Sequence, residues 1–212
     1  MQTPKFHLDI LRIMMKIVDE VLIASKIEYF IEGGTLLGCV RDGDIIPWDD
    51  DIDIGVMTYD WAKMINVLSR LNNTEPFEYE DKKYYINFIQ KDNDLCKVYI
   101  PTFTTKTEEG KVVGTPTLDI FKYEKHKKEI RLPNLNYRRE FKNATYKISE
   151  MYPIKRMKLG DIMVNTPNDP IGFITRYYGE DWMVPKIDIR GNDIKTKTRN
   201  VVMDKAQDKA ES

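Results

Sequence analysis

Apolar residues near the amino terminus recur every three or four positions, which is the spacing of an amphipathic helix. They are Phe6, Ile10, Ile13, Ile17 and Val21. Residues 4–25 are therefore predicted to form a helix, with Thr3 as its cap and Pro4 at its first position. A second stripe predicts another helix, which Thr58 would cap and which ends at residues 72–73. Its members are Trp61, Met64, Ile65, Leu68 and Leu71.

Shorter stretches alternate apolar and polar residues, and this period of two predicts strands. Single strands are predicted over residues 27–31, 51–56 and 117–123. A hairpin is predicted from residues 84–90 and 95–100. A second hairpin is centred on Gly160-Asp161, a two-residue turn between apolar stretches.

The remaining segments carry weaker signals. Asp169-Pro170 would open a short helix that Gly179 closes. Its inward-facing residues would be Ile171, Ile174 and Tyr178. Residues 36–47 are predicted to be a short helix or loop and residues 104–116 an exposed loop, while 124–150 are too weakly periodic to assign. The whole pattern favours a single α+β domain over residues 1–194, followed by a disordered tail at 195–212.

Composition restricts the class of protein. Of the 212 residues, 42% are hydrophobic and the net charge is −1, which suits a folded domain and not a basic nucleic-acid coat protein. No apolar run approaches the roughly 18 to 20 residues of a membrane span. The only cysteines are Cys39 and Cys96 and the only histidines His7 and His126, so neither a disulfide scaffold nor a zinc site is expected. We expect a soluble, cytoplasmic protein of a reducing compartment.

The near-zero net charge conceals two charged regions. Residues 1–60 hold five Lys/Arg against twelve Asp/Glu, whereas residues 122–158 hold twelve Lys/Arg against four Asp/Glu. Aromatic residues interleave with the basic ones, as on a nucleic-acid stacking surface. They are Tyr123, Tyr137, Phe141, Tyr146 and Tyr152. Because the acidic region would oppose such a ligand, we predict no nucleic-acid partner.

The acidic region includes a strand that presents two carboxylates on one face. Asp51 and Asp53 point the same way, and the opposite face carries Ile52 and Ile54, which must enter the core. A shift of one residue would bury both carboxylates, so the register of this strand is fixed. Carboxylates about 7 Å apart along a strand can converge on one hard cation. Residues 49–50, both Asp, add negative charge at the strand's entrance.

A third carboxylate comes from a distant strand in which Asp119 lies between Leu118 and Ile120. If this strand pairs beside the first, all three carboxylates share one face and can hold one or two Mg²⁺ ions, an arrangement used for phosphoryl transfer. Upstream, Gly33-Gly34-Thr35 follows a predicted strand and precedes a short helical stretch. Its backbone N–H groups and the Thr35 hydroxyl would approach phosphate oxygens.

A lone Asp-x-Asp pattern or glycine pair is weak evidence, but their order here is specific. Gly-Gly-Thr after a strand, then an Asp-Ile-Asp strand, then a distant apolar-Asp-apolar strand is the layout of the DNA polymerase β-type nucleotidyltransferase fold. The predicted fold is therefore α+β, with a mixed sheet flanked by helices.

At a narrower level, the chain resembles the LicD/fukutin family of phosphotransferases over about residues 27–185. The main matches are GGTLLG at 33–38, VR at 40–41 and IPWDDDIDIG at 46–55. Supporting matches are LDIF at 118–121, YPIK at 152–155 and YYGEDW at 177–182. Cys39 stands where alanine is more usual.

The resemblance implies transfer of a phosphorylated alcohol, such as phosphocholine or ribitol phosphate, from a CDP-linked donor to a glycan hydroxyl. It implies Asp51 and Asp53 as ligands of Mg²⁺ or Mn²⁺, and Asp119 as a third ligand or the general base. The Gly33-Gly34-Thr35 segment would face the donor phosphates. The acceptor hydroxyl would attack the phosphorus in line, and CMP would leave.

Three further residues are candidates for substrate binding, each with a structural alternative. Arg41 would hold phosphate oxygens, or else form a salt bridge to a nearby Asp. Lys155 would also hold phosphate oxygens, or else be a solvated surface residue. Trp48 would stack on cytosine or enclose a quaternary ammonium group, or else pack beside Pro47.

Two other functions stay open at this point. A nucleotidylyltransferase would use the same carboxylates but transfer NMP from an NTP and release pyrophosphate. A non-catalytic carbohydrate- or metal-binding module would have lost its chemistry, although the intact Asp51, Asp53 and Asp119 argue against such a loss.

Overall fold

The structure, a computed structural model, describes residues 3–101, 105–106, 112–142 and 144–185. The helices of these residues are α1 (Lys5–Ala24), α2 (Gly33–Arg41), α3 (Thr58–Leu68), α4 (Leu135–Glu140), α5 (Ile148–Met151) and α6 (Pro170–Tyr178). A 3₁₀ helix over Ser69–Asn73 follows α3. The strands are β1 (Tyr29–Ile31), β2 (Asp51–Met57), β3 (Phe77–Tyr79), β4 (Lys82–Tyr84), β5 (Asn87–Gln90), β6 (Leu95–Tyr99), β7 (Thr105–Lys106), β8 (Val112–Gly114), β9 (Thr117–His126), β10 (Glu129–Arg131), β11 (Thr145–Lys147), β12 (Lys155–Leu159) and β13 (Ile162–Thr166).

A mixed sheet organises the domain, as the sequence predicts. Its strands follow the order β1-β2-β9-β10-β11, and the β5–β6 hairpin joins it along β9. Strands β2 and β9 are parallel, whereas the other pairs of this sheet are antiparallel. Strand β9 is long enough to pair with β6 over its first half and with β10 over its last residues. The sheet therefore branches at β9.

The apolar face of the two central strands forms the core. Ile52 and Ile54 of β2 and Leu118 and Ile120 of β9 are fully buried, as their alternation predicts. Helices α1 and α3 pack on these strands, and α2 packs against β2 and α6. Each large apolar side chain buried in this way contributes roughly 1.5–3 kcal/mol. The register of β2 is fixed by this burial, and its polar face is left for the carboxylates.

The long amino-terminal helix differs from the prediction in its cap and its buried face. Pro4 occupies the cap position without a side-chain hydrogen bond, and Thr3 instead donates its backbone N–H to the carbonyl of Pro47 at 2.9 Å. The predicted stripe lies at the edge of the buried face, where Ile13 and Ile17 are half-buried. The buried residues are His7, Ile10, Leu11, Met14, Met15, Val18, Asp19 and Leu22. Two of these buried residues, His7 and Asp19, are polar, so a pattern of apolar positions does not identify the buried face.

Those polar members have partners that the sequence does not reveal. The ring of His7 makes a hydrogen bond to the carbonyl of Asp50 at 2.9 Å. The carboxylate of Asp19 accepts hydrogen bonds from the Tyr29 hydroxyl and the Arg156 guanidinium. Thr58 also has a different role from the predicted cap, because it is the first residue of α3 and donates its hydroxyl to the Tyr123 carbonyl.

The two hairpins and the last helix, which depend on turn or cap residues of their own, form where the sequence predicts them. Both predicted hairpins form, as β5–β6 and β12–β13. Helix α6 begins after Asp169, whose side chain accepts from the N–H of Gly172, and ends at Gly179. The predicted inward orientation of Ile171 is wrong: this side chain is 53% exposed, since Phe173 and Ile174 fill the buried face.

Other expectations fail or fall outside the described residues. The predicted loop at 104–116 contains paired strands, β7 and β8. The unassigned stretch at 124–150 contains β10 and β11, which extend the main sheet, together with α4 and the start of α5. The expected tail at 195–212 lies outside the described residues, and the domain limit at residue 194 stays a prediction. Among the described helices, none combines the length and apolar character that a bilayer crossing requires.

Candidate active site

The pairing of β2 with β9 brings three carboxylates to one face of the sheet. Asp53 lies directly opposite Asp119 in the parallel register, and Asp51 lies two residues earlier, opposite Thr117. The predicted pairing of the two acidic strands is therefore confirmed. The role of Asp51, Asp53 and Asp119 as metal ligands stays a prediction.

A cavity opens over this face, with an acidic side and an aromatic side. Its acidic lining consists of Glu32, Asp49, Asp50, Asp51, Asp53, Asp119 and Glu140. Its aromatic lining consists of Phe121, Tyr123, Phe141, Phe173, Tyr177 and Tyr178. Among the described residues that line it, none is Lys, Arg or His. The cavity thus combines an acidic side with an aromatic side, and a cation would complement the acidic side.

Glycine is required where the first turn of α2 meets the carboxylates. Gly33 is the first residue of this helix and has φ +54°, a conformation that side-chain-bearing residues rarely adopt. A Cβ at this position would lie 3.1 Å from Oδ2 of Asp53. Gly33 and Gly34 both line the cavity. The Gly-Gly-Thr segment therefore forms the helix's first turn, and not a loop before it, so the positive end of the helix dipole faces the cavity.

Asp53 is held through its backbone from both sides. Its N–H donates to the Thr35 hydroxyl at 2.9 Å, and its carbonyl accepts from the N–H of Glu32 at 3.0 Å. Thr35 is 2% exposed and is not among the described residues that line the cavity. The structure thus gives Thr35 a positioning contact with the Asp53 strand, whereas its predicted contact with phosphate has no counterpart on the cavity wall.

The donor set fits a hard divalent cation. Carboxylate oxygens are the ligands that Mg²⁺ and Mn²⁺ prefer. One carboxylate oxygen from each of Asp49, Asp50 and Asp51 lies within 4.8 Å of the others. Asp51 also shares its face of the sheet with Asp53 and Asp119. The absence of a side chain on Gly33 leaves space beside the Asp53 carboxylate. Of the predicted ligands, only Asp51 belongs to this close group, and Asp53 and Asp119 would complete the set from the same face of the sheet.

The structure adds Lys97, which the sequence does not single out. Its Nζ lies 2.8 Å from Oδ1 and 2.7 Å from Oδ2 of Asp119. Lys97 faces Asp119 across the antiparallel β6–β9 pair. The alternation of β6, which buries Cys96 and Val98, does place Lys97 on the polar face. The pairing of β6 with β9, however, is a long-range contact that no local pattern reveals.

A second addition is Glu32, which precedes the glycine pair and is 7% exposed. The Tyr123 hydroxyl donates to its Oε2, and its buried Oε1 has no hydrogen-bond partner among the described residues. Burial disfavours the charged carboxylate and raises the pKa of Glu32 to about 8, although the bond from Tyr123 opposes this rise. The sequence does carry a signal for Glu32, because it is a charged residue that directly follows an apolar segment and precedes Gly33.

The raised pKa makes the stability of the protein depend on pH. A carboxyl whose pKa is higher in the folded state contributes stability that is complete below its unfolded pKa, near 4.5, and is lost as the pH rises through about 8. Glu32→Gln removes this loss. We expect the variant to exceed the wild type at pH 8 by at least about 1.4 kcal/mol, the value of one pKa unit.

Thermal unfolding at several pH values measures this difference. A gain of about 3 °C or more at pH 8 is expected for a domain of this size, with near-equal melting temperatures at pH 5. The comparison between the two proteins removes the contribution of the other acidic groups. A difference that stays constant between pH 5 and pH 8 would contradict the assignment.

The other predicted substrate-binding residues are not among the described residues that line the cavity. Arg41 pairs with Asp42, with 2.8 Å between Nη2 and Oδ2, and its guanidinium lies 5.8 Å from the ring centre of Trp48. Trp48 packs against the core beside Ile46 and Pro47. Lys155 donates to the carbonyl of Asn168 at 2.8 Å. These contacts are the ones that the structural alternatives describe, and the roles of Arg41, Trp48 and Lys155 in substrate binding stay predictions.

The two cysteines are free thiols within the described chain, as expected from their spacing. Both are buried, and burial raises the pKa of Cys39 to about 11 and that of Cys96 to about 12. Both thiols are therefore expected to be protonated at neutral pH, and neither is among the described residues that line the cavity.

The chain is similar to several known proteins. The chain is 34% identical over 167 residues to the uncharacterized protein RP689 of Rickettsia prowazekii, covering 79% of this chain and 53% of that protein. It is 48% identical over 58 residues to the human ribitol 5-phosphate transferase FKRP, covering 27% of this chain and 12% of that protein. It is also 43% identical over 42 residues to the lipopolysaccharide cholinephosphotransferase LicD of Haemophilus influenzae, covering 20% and 16%.

The chain spans about half the length of the Rickettsia relatives that it matches. The sequence profile of the LicD/FKTN/FKRP nucleotidyltransferase domain matches residues 26–169, which include the glycine turn and all three carboxylates of the β2–β9 face. Since that match extends over more than half of the chain, the protein belongs to the LicD/FKTN/FKRP nucleotidyltransferase-domain family.

Proposed function

We propose that this protein transfers a phosphorylated alcohol from a CDP-linked donor to a hydroxyl group of a glycan, with Mg²⁺ or Mn²⁺ as cofactor. The observation that carries the proposal is the face formed by Asp51, Asp53 and Asp119 beside the glycine turn of α2. Family membership supports a phosphotransferase that acts on glycans, since the relatives named above are a ribitol 5-phosphate transferase and a cholinephosphotransferase.

Each part of the cavity would have one task. Asp51, Asp53 and Asp119 would hold the divalent cation, which when bound neutralises negative charge on the phosphate oxygens. The N–H groups of Gly33 and Gly34, at the positive end of α2, would donate to the donor phosphates. The aromatic side of the cavity would contact the organic part of a substrate, a task that the sequence alone suggested for Trp48.

The proposed reaction is an in-line displacement at the phosphorus that carries the alcohol. The acceptor oxygen forms a new bond to this phosphorus, while the bond from phosphorus to the bridging oxygen of the diphosphate breaks and CMP leaves. The hydroxyl proton passes to a carboxylate. Asp119 is the candidate base, because it lies on the same face as Asp53 and because Lys97 fixes its orientation.

A panel of donors tests this function. CDP-choline, CDP-ribitol and CTP are each added with and without Mn²⁺, and the melting temperature and the products are measured. We expect one CDP-alcohol to stabilise the protein only when the metal is present, and to release CMP with a glycan acceptor. Pyrophosphate release from CTP would instead identify a nucleotidylyltransferase. Binding of sugars with no product from any donor would identify a non-catalytic module.

A further inference from the structure

A row of charged residues crosses three adjacent strands on the cavity face. Asp53 of β2 faces Asp119 of β9, and Asp119 faces Lys97 of β6 on its other side. Directly paired residues of neighbouring strands project from the same side of a sheet. The two outer members of this row carry opposite charges, and Asp119 lies between them.

Lys97 engages both oxygens of its neighbour. Its Nζ is 2.8 Å from Oδ1 and 2.7 Å from Oδ2 of Asp119, whose side chain is 13% exposed. An ion pair shielded in this way from water retains more of its Coulomb energy than a surface pair. Lys97 therefore neutralises Asp119 strongly and relieves its repulsion of Asp53.

The same contact opposes the binding of a cation. A divalent ion that takes Asp119 as a ligand must share its oxygens with an ammonium group, and it experiences the positive charge of that group nearby. The hydrogen bonds also orient the carboxylate, which would favour a ligand. Because the ammonium occupies both oxygens and adds a full positive charge, we take the electrostatic opposition to be the larger effect.

We propose that Lys97 is a positioning residue that competes with the divalent cation for Asp119 and thereby weakens the affinity of the site for metal. Without metal the ammonium of Lys97 is a counterion of Asp119, and a bound cation would share the Asp119 oxygens with it. This inference rests on the proposed function, since it requires that Asp51, Asp53 and Asp119 hold a metal.

The test is the affinity of the protein for Mn²⁺ alone, measured by calorimetry at low ionic strength. We expect Lys97→Met to bind Mn²⁺ roughly tenfold more tightly than the wild type, since one opposing charge is removed. Lys97→Arg, which keeps the charge, should bind as the wild type does. Metal should also raise the melting temperature of Lys97→Met by more than that of the wild type.

Two further variants complete the experiment. Lys125→Met removes one positive charge from an exposed position of β9, about 20 Å along the strand from Asp119. This variant should leave the affinity for Mn²⁺ unchanged. Asp53→Asn should abolish the specific binding. Equal or weaker affinity of Lys97→Met, with wild-type binding still dependent on Asp53, would overturn this inference alone. Wild-type binding that Asp53→Asn leaves intact would overturn both the inference and the proposed metal site.

Discussion

Asp53→Asn is expected to lower the rate of CMP release from the matching CDP-alcohol at least about 100-fold. The amide has the shape of the carboxylate but lacks its charge, so it would bind a hard divalent cation poorly. The hydrogen bonds that position residue 53 use its backbone N–H and carbonyl, and the variant keeps both. The loss would therefore come from the missing charge and not from a displaced strand.

Steady-state kinetics with a Mn²⁺ titration measure this effect. The variant should also lose the metal-dependent rise in melting temperature, while its metal-free melting temperature stays at or above that of the wild type, because one repelling charge is gone. Asp81→Asn, at an exposed turn between β3 and β4, makes the same chemical change away from the cavity and should retain full activity. Undiminished CMP release by Asp53→Asn would exclude the three-carboxylate mechanism.

Much of this site can be predicted from the sequence, because the pattern within β2 itself determines which side chains of the strand face the cavity. The alternation of apolar residues with Asp51 and Asp53 fixes the face of β2, since the opposite register would bury two charges. Both hairpins and α6 also depend on turn or cap residues that lie within the element itself. The prediction that Asp119 belongs to the site requires one assumption, that its strand pairs with β2. The structure confirms that pairing.

Other parts of the site depend on contacts between distant segments. Lys97 reaches Asp119 only through the register of β6 on β9, which an alternating pattern cannot predict. Arg41 and Trp48 are candidates by residue type, and in the described part of the chain Arg41 contacts both Asp42 and Trp48. Residues 124–150 escape assignment because the strands β10 and β11 are only three residues long and are stabilised by pairing with β9 or with each other. Short strands of this kind carry little periodic signal.

Gly55→Ala is expected to destabilise the protein by about 3 kcal/mol, although it is the smallest possible change in the acidic strand. Gly55 lies opposite Phe30 in the β1–β2 pair, and a Cβ there would come within 2.3 Å of the Phe30 ring. That ring is itself confined, with its centre 5.1 Å from that of Tyr123 and 5.5 Å from that of Tyr146. The methyl group would therefore force apart a packed aromatic cluster that includes Tyr123 of the cavity wall.

Urea and thermal unfolding test this expectation, with a decrease of roughly 6–12 °C in the melting temperature. Gly43→Ala is the matched control: Gly43 has φ +71°, but a methyl group added there would meet no described atom within 4 Å, so its cost is backbone strain of about 1 kcal/mol. If the steric account is right, Phe30→Leu should recover part of the loss in the Gly55→Ala background, and the double-mutant cycle should show a coupling between the two positions. Additive effects would mean that Gly55 is required for another reason. A coupling would show that the acidic strand needs glycine because an aromatic ring, and not a ligand, lies against it.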